Sequence, residues 1–429
     1  VKFEKICVLG LGYIGLPTAS TFATHGLKVV GVDVNPQVVH TLRNGGLHIH
    51  EPGLRTLVQA ALGSGNLVVS DHPEPADAFI IAVPTPFYDD KRADLRAVTA
   101  ATQAIIPYLR PGNLVVLEST SPPRTTLDVI APILGRAGLK PGVDFYLAYS
   151  PERVLPGQIL RELVENARVI GGVNGASAEA GRDLYACFVL GEIILTDATT
   201  AEMVKLMENT YRDVNIAISN EFARLADRFG IDVWEAIELA NRHPRVKILR
   251  PGPGVGGHCI SVDPWFLVEA APDLTPLIHT ARQVNDGQPH FVVELVRRIA
   301  GKLEGVRVAA LGLSYKPDVD DLRESPALEI VRLLVEAGAQ VAAHEPFKPD
   351  PQLAGIPSLA TLEEALQGAD LALLLVAHTP LKTLQPERAA ALMRGRVAVD
   401  TVNGWSPQAW QAAGFHLYRL GVGKLKVEG

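Results

Sequence analysis

The run Lys5-Ile6-Cys7-Val8-Leu9-Gly10-Leu11-Gly12-Tyr13-Ile14-Gly15 decides the fold, together with the strand-like LKVVGVD that ends at Asp33. An apolar run enters a glycine turn, a helical pattern follows, and a second apolar run ends in an acid. That order is what a dinucleotide fingerprint requires, and glycine spacing alone does not supply it. Gly10 permits the tight turn. Gly12 lets backbone approach a pyrophosphate. Gly15 lets helix and strand pack closely, and the helix N-terminus faces the phosphates. Tyr13 and Ile14 complete the cradle. The Asp33 carboxylate accepts hydrogen bonds from ribose hydroxyls and repels a 2′-phosphate, which favours NAD over NADP.

Further strands are expected at 5–10, 27–33, 67–70, 78–83, 114–118 and 145–149. They read as continuous apolar runs separated by helices, as in a parallel sheet covered on both faces. A second series follows at 306–313, 339–344, 371–376 and 397–400. Between the two, 199–230 has a helical pattern without proline or internal glycine. Thr199 or Thr200 is its expected cap, Glu202 lies in its first turn, and Gly230 is its expected stop. The fold class expected is α/β, with two Rossmann-like doubly wound domains joined by a central helical domain with a long helix. The boundaries expected are 1–195, 196–300 and 301–429.

The chain has 429 residues, enough for more than one core, and a formal charge of −7 with no basic block. That argues against a nucleic-acid partner. The longest apolar runs, such as LALLLVA at 371–377, are too short to span a bilayer. Cys7, Cys187 and Cys259 are few and scattered, which suits neither a disulfide framework nor a metal cluster. No signal-peptide pattern precedes KICVLG, so the expected compartment is the cytoplasm.

Three segments carry more polar chemistry than a core requires. The first is Tyr149-Ser150-Pro151-Glu152-Arg153-Val154-Leu155-Pro156-Gly157, just past a strand end, where ligands gather in open α/β sheets. The second is the helix KLMENTYRDVNIAISNE, in which Lys205, Asn209 and Arg212 share a face. The third is the loop from Arg250 to Pro264, in which glycines lead to His258, Cys259 and Asp263. A thiolate is a strong nucleophile and nearby positive charge promotes it. The glycines around Cys259 are expected to leave backbone exposed for a ligand. Cys7 and Cys187 read as small buried hydrophobes.

With GxGGHCxxxDP, SPER, KLxENTYRxxNIAxxNE and KPDVDDLRESP at 316–326, the chain resembles the UDP-glucose/GDP-mannose dehydrogenase family along essentially its whole length. The resemblance implies that Cys259 is the nucleophile and Lys205 the catalytic lysine, with Asn209 beside it. Glu152 and Asp263 match carboxylates that help activate water, and Thr120 a position near the nicotinamide. Thr85 and Arg323 match cofactor contacts. Arg153, Val154, Arg212, His243, Arg245, Gly254, Gly256 and Lys316 match the sugar-nucleotide site, along with Lys205 and Asn209. No metal is implied. The family often carries an arginine a few residues after the ribose-binding acid, and the segment Asp33-Val34-Asn35-Pro36-Gln37-Val38 lacks it.

The implied reaction is a four-electron oxidation of a UDP-sugar by two NAD, through a thiohemiacetal and a thioester, in a homodimer formed through the long helix. PERVLPG and GPGVGGHCISVDPWF most resemble members acting on UDP-N-acetyl-D-mannosamine. UDP-N-acetyl-D-glucosamine or another UDP-sugar is the alternative substrate. Two other classes compete: a two-electron hydroxy-acid dehydrogenase, which needs no cysteine, and a non-catalytic dinucleotide sensor, which needs no lysine, cysteine and carboxylates on separate segments.

Overall fold

The computed structural model describes residues 1–49, 51–348 and 361–423. They form two compact units. One takes Val1–Glu208 and Trp265–Leu274, and the other takes Asn209–Pro264 and the chain from Thr275 onward.

The first unit holds an eight-stranded sheet. Its strands are β1 (Lys5–Leu9), β2 (Lys28–Val32), β3 (Leu67–Ser70), β4 (Ala78–Ile81), β5 (Leu114–Leu117), β6 (Tyr146–Tyr149), β7 (Arg168–Gly172) and β8 (Ile193–Asp197). The order is β3-β2-β1-β4-β5-β6-β7-β8. All neighbours pair parallel except β6 and β7, which are antiparallel. Alternate side chains of β1 sort into two separate cores, Ile6 and Val8 in one and Cys7 and Leu9 in the other. Both faces are therefore covered, which explains why the strands read as unbroken apolar runs. Each fully buried Val or Leu there contributes about 1.5–3 kcal/mol.

The second unit holds a five-stranded parallel sheet, β9 (Arg307–Leu311), β10 (Gln340–His344), β11 (Leu371–Leu374), β12 (Val397–Asp400) and β13 (His416–Arg419), in the order β10-β9-β11-β12-β13. Ala223 and Ala226 of the long helix and Val292 and Val296 of the Gln288–Ala300 helix join Val308 and Ala310 in one core. Ala309 and Leu311 face another.

Both sheets switch direction beside their first strand, β1 and β9, and the two turns there are built alike. A Cβ on Gly10 would lie 2.6 Å from the Ala82 carbonyl oxygen, and one on Gly312 would lie 2.6 Å from the Val376 Cβ. The Leu11 amide donates to Asp33 at 2.9 Å, and the Leu313 amide donates to Glu345 at 2.7 Å. After Gly10 a helix starts at Gly15. After Gly312 a loop runs to the Pro326–Glu336 helix instead. The first turn therefore leads straight into a helix N-terminus, the arrangement that favours a phosphate, and the second does not.

The long helix runs Ala198–Phe229 and ends at Gly230 with φ 73°. Its cap differs from expectation. The Asp197 carboxylate accepts from both the amide and the hydroxyl of Thr200. Glu202 does not serve its own helix terminus; it accepts from the Arg124 and Thr126 amides and the Thr126 hydroxyl. No helix among the described residues is long and apolar enough to cross a membrane. A further correction concerns Cys187: it lies past the end of the Gly175–Tyr185 helix and is exposed. Cys7 is buried as expected, and burial pushes its thiol up to about 12.

Candidate functional site

The three fingerprint glycines differ in why they are glycine. A Cβ on Gly15 would sit 1.8 Å from the Gly10 carbonyl oxygen, so close packing excludes a side chain. A Cβ on Gly12 would meet no protein atom within 4 Å. Gly12 is exposed, so its bare backbone keeps a surface open, as approach of a diphosphate requires. Asp33 is half-buried at the end of β2 and ties the turn together, accepting from the Leu11 and Asn35 amides at 2.9 Å each. Tyr13 and Ile14 are half-buried beside it. These residues fit an NAD dinucleotide. Asp33→Asn keeps one amide acceptor but removes the charge. We expect it to weaken NAD binding and narrow the preference over NADP, read from titration of both cofactors. An unchanged ratio of the two affinities would contradict the assignment.

Thr85 and Thr120 come from loops after β4 and β5, and the structure brings them together: the Thr85 hydroxyl donates to the Thr120 carbonyl at 2.6 Å. Past β6, Glu152 turns back into the same unit. Its carbonyl accepts from the Lys205 ammonium at 2.7 Å, and both residues are buried. Lys205 thus has a fixed place on the helix face rather than a solvated one. The Glu152 carboxylate accepts from Arg153 N at 2.7 Å and from Arg168 Nη1 at 3.2 Å. The Arg153 guanidinium pairs with Glu208 at 2.6 Å and also donates to the Ala167 carbonyl. Val154 packs against the core beneath.

In the second unit, Cys259 is half-buried in the turn that leads into the Asp263–Ala270 helix, and its carbonyl accepts from the Val262 and Asp263 amides. Asp263 is buried and accepts from Asn209 Nδ2 at 2.5 Å. Three of the preceding glycines, Gly254, Gly256 and Gly257, are not open backbone, contrary to expectation. A Cβ on Gly254 would lie 2.7 Å from Pro326, one on Gly256 2.5 Å from the Glu324 carbonyl oxygen, and one on Gly257 2.8 Å from the Tyr315 ring. The Gly257 amide donates to the Arg323 carbonyl at 3.1 Å. The cysteine loop is therefore moulded onto the 315–326 loop that carries Lys316. The exposed guanidinium of Arg323 forks onto Asp321 at 2.6–3.1 Å.

His243 and Arg245 lie on an exposed loop after the Val233–Ala240 helix. Asn241 closes that loop on itself, exchanging hydrogen bonds with both the amide and the carbonyl of Ile248. Arg212 is exposed on the long helix. Gly252 is held by both of its backbone polar groups, its amide by Asn220 and its carbonyl by Gln288. Asn220, Gln288, Asn241 and Arg168 escaped the sequence reading. Arg168 had a usable signal, a cation opening the otherwise apolar run RVIGG. Among the described residues no group of three or more His, Cys, Asp or Glu is arranged to hold a metal.

Comparison with known proteins identifies the family. Residues 4–189 match the NAD binding domain, 199–287 the central domain and 309–407 the UDP binding domain of the UDP-glucose/GDP-mannose dehydrogenase family. The UDP-N-acetyl-D-mannosamine dehydrogenase of Methanocaldococcus jannaschii is 50% identical over 427 residues, covering 98% of this chain and 97% of that protein. The NDP-N-acetyl-D-galactosaminuronic acid dehydrogenase of Ralstonia nicotianae is 49% identical over 417 residues, covering 95% and 97%. The solved UDP-D-ManNAc dehydrogenase of Pyrococcus horikoshii superposes with a TM-score of 0.91 at 41% identity, covering 98% of this chain and 100% of that one. The chain belongs to the UDP-glucose/GDP-mannose dehydrogenase family. Its activity is that of an NAD-dependent UDP-sugar dehydrogenase.

Proposed function

We propose that the protein oxidises UDP-N-acetyl-D-mannosamine to the mannosaminuronate in a four-electron reaction with Cys259 as covalent catalyst. The observation that carries the reading is the setting of Cys259. It is a half-buried thiol in a moulded turn, four residues before a buried carboxylate held by Asn209. NAD, when bound, supplies the hydride acceptor for each of the two oxidations. Lys205 and Asn209 donate to the oxygen on carbon 6 as negative charge gathers there, each worth about 3 kcal/mol. The Cys259 thiolate adds to the aldehyde carbon, giving a thiohemiacetal and then a thioester. Holding the aldehyde covalently prevents its escape between the two oxidations. Glu152 takes up the proton of the attacking water, with Asp263 as the second carboxylate assigned to activating it. The C–S bond then breaks and the electron pair returns to sulfur.

Thr120, Thr85 and Arg323 are assigned to the cofactor. Arg212, His243, Arg245 and Lys316 are assigned to the sugar nucleotide, where guanidinium forks suit phosphate oxygens. Arg153, Val154 and the backbone of Gly254 and Gly256 are assigned to the walls of that site, with the Arg153 guanidinium held by its bond to Glu208. A cytoplasmic setting keeps the three free cysteines reduced. A homodimer suits the long helix, where Tyr211, Ile218, Phe222, Leu225 and Phe229 leave an exposed apolar stripe. Sedimentation as a monomer would rule the homodimer out.

The galactosaminuronate relative at 49% identity supports a second reading, in which the sugar is another N-acetylhexosamine. A polar contact matched to one epimer rejects another by a factor of about 10⁴. Turnover of UDP-linked N-acetylmannosamine, N-acetylgalactosamine, N-acetylglucosamine and glucose decides the matter. We expect the highest kcat/KM with the manno sugar. A higher value with any of the other three would replace the substrate.

A further inference from the structure

Arg168 opens β7 with its side chain buried, and each arm of its guanidinium has a different acceptor. Nη2 donates to Glu118 Oε1 at 2.5 Å, Nη1 to Glu152 Oε2 at 3.2 Å, and Nε to Ser150 Oγ at 2.9 Å. The Tyr185 ring lies under it at 3.9 Å, and the Tyr185 hydroxyl donates to Glu118 Oε1 at 2.6 Å. Two buried carboxylates therefore share one guanidinium. The second oxygen of Glu118 is buried without a hydrogen-bond partner. Nothing in the oxidation chemistry uses Glu118, Arg168 or Tyr185. A charged network this deep is costly to bury, and replacing it with apolar groups is often neutral or stabilising. Its cost is explained if the network serves Glu152.

We infer that Arg168 is a positioning residue for Glu152, and that Glu118, from the far side of the same guanidinium, sets how much of its charge Glu152 feels. The inference rests on the reading of Glu152 as the base for thioester hydrolysis. In that step the water oxygen bonds to the acyl carbon, its proton passes to Glu152, and the C–S bond breaks to return the thiolate of Cys259. Arg168 fixes the direction of the Glu152 carboxylate. The planar fork matters, because a lysine in its place reaches one carboxylate at most.

Burial pushes the Glu118 carboxyl up to about 7, against the pull of Arg168 and with the charge of Glu152 adding to the rise. The charged and titratable groups facing it are Arg168 from β7, Glu152 from the segment after β6, and Tyr185 from the Gly175–Tyr185 helix. Below that pH Glu118 holds a proton, and the guanidinium charge falls on Glu152. Above it Glu118 is ionised and takes its share of the guanidinium, so that less of the Arg168 charge falls on Glu152. Hydrolysis therefore speeds up as pH rises through neutrality.

The test uses the full-length protein with NAD and its UDP-sugar, comparing Glu118→Gln, Arg168→Lys and Glu152→Gln with the unaltered chain. Glu118→Gln is nearly isosteric and fixes the neutral form. We expect its steady-state kcat to fall about tenfold at pH 8 and to converge on the unaltered protein below pH 6, a modest part of what general bases contribute. The initial burst of NADH should keep its rate. Acid-quenched Glu118→Gln and Arg168→Lys should carry the uronyl thioester on Cys259 by mass spectrometry. Hydroxylamine, which attacks thioesters without a general base, should restore their turnover. An unshifted pH profile, or a burst slowed as much as the steady state, would overturn the inference. Glu152→Gln separates the two levels. If it accumulates thioester while the other variants do not, only the role of Arg168 and Glu118 fails. If it accumulates none, the base assignment itself fails and this inference with it.

Discussion

Cys259→Ala is expected to abolish net oxidation of the sugar, lowering turnover by about 10⁴-fold or more, as removal of a covalent catalyst does. The loss should come without unfolding. Cys259 is only half-buried, and the turn around it is held by backbone bonds and by glycines fitted to the 315–326 loop. Cys259→Ser should stall as an ester, because an alkoxide leaves far less readily than a thiolate. The other thiols are internal controls. Cys187 is exposed, so Cys187→Ala should keep full turnover. Cys7 lies fully buried in β1, so Cys7→Ala should lower thermal stability and spare turnover per folded molecule. Near-native rates in Cys259→Ala would make the cysteine structural.

Lys205→Met is expected to lower kcat by about 10²–10³-fold, the usual effect of removing one donor to a developing oxyanion. The ammonium is buried, bonded to the Glu152 carbonyl and carried on a continuous helix, so it is held in place before substrate arrives. Methionine matches the stem in length, so the thermal midpoint should change little. KM for the UDP-sugar should move less than kcat if the lysine acts mainly in the transition state. A loss confined to KM would reassign it to substrate binding.

The glycine fingerprint was legible because its meaning is local: strand, turn, helix and acid stand in chain order. The long helix was equally legible, since nothing between Ala198 and Phe229 breaks it. Its cap was misread because Thr199 and Thr200 look like capping residues while Asp197, the last residue of β8, does the work. β7 was missed because Gly171 and Gly172 resemble a turn. β8 was missed because it is a half-exposed edge strand, and β13 because HLYR is short and polar. The glycines before Cys259 were recognised, but their reason was not. Their partners, Tyr315, Glu324 and Pro326, are distant in sequence, and only the fold shows the close approach. The same holds for Arg168, whose three acceptors lie on two other segments, Glu118 after β5 and Ser150 and Glu152 after β6.

The central claim is that one active site carries out both oxidations through Cys259, and counting NADH against sugar tests it most directly. With the UDP-sugar limiting and NAD in excess, we expect two NADH per sugar consumed, no free aldehyde, and a uronate as the only product. One NADH per sugar with aldehyde released into solution would contradict it.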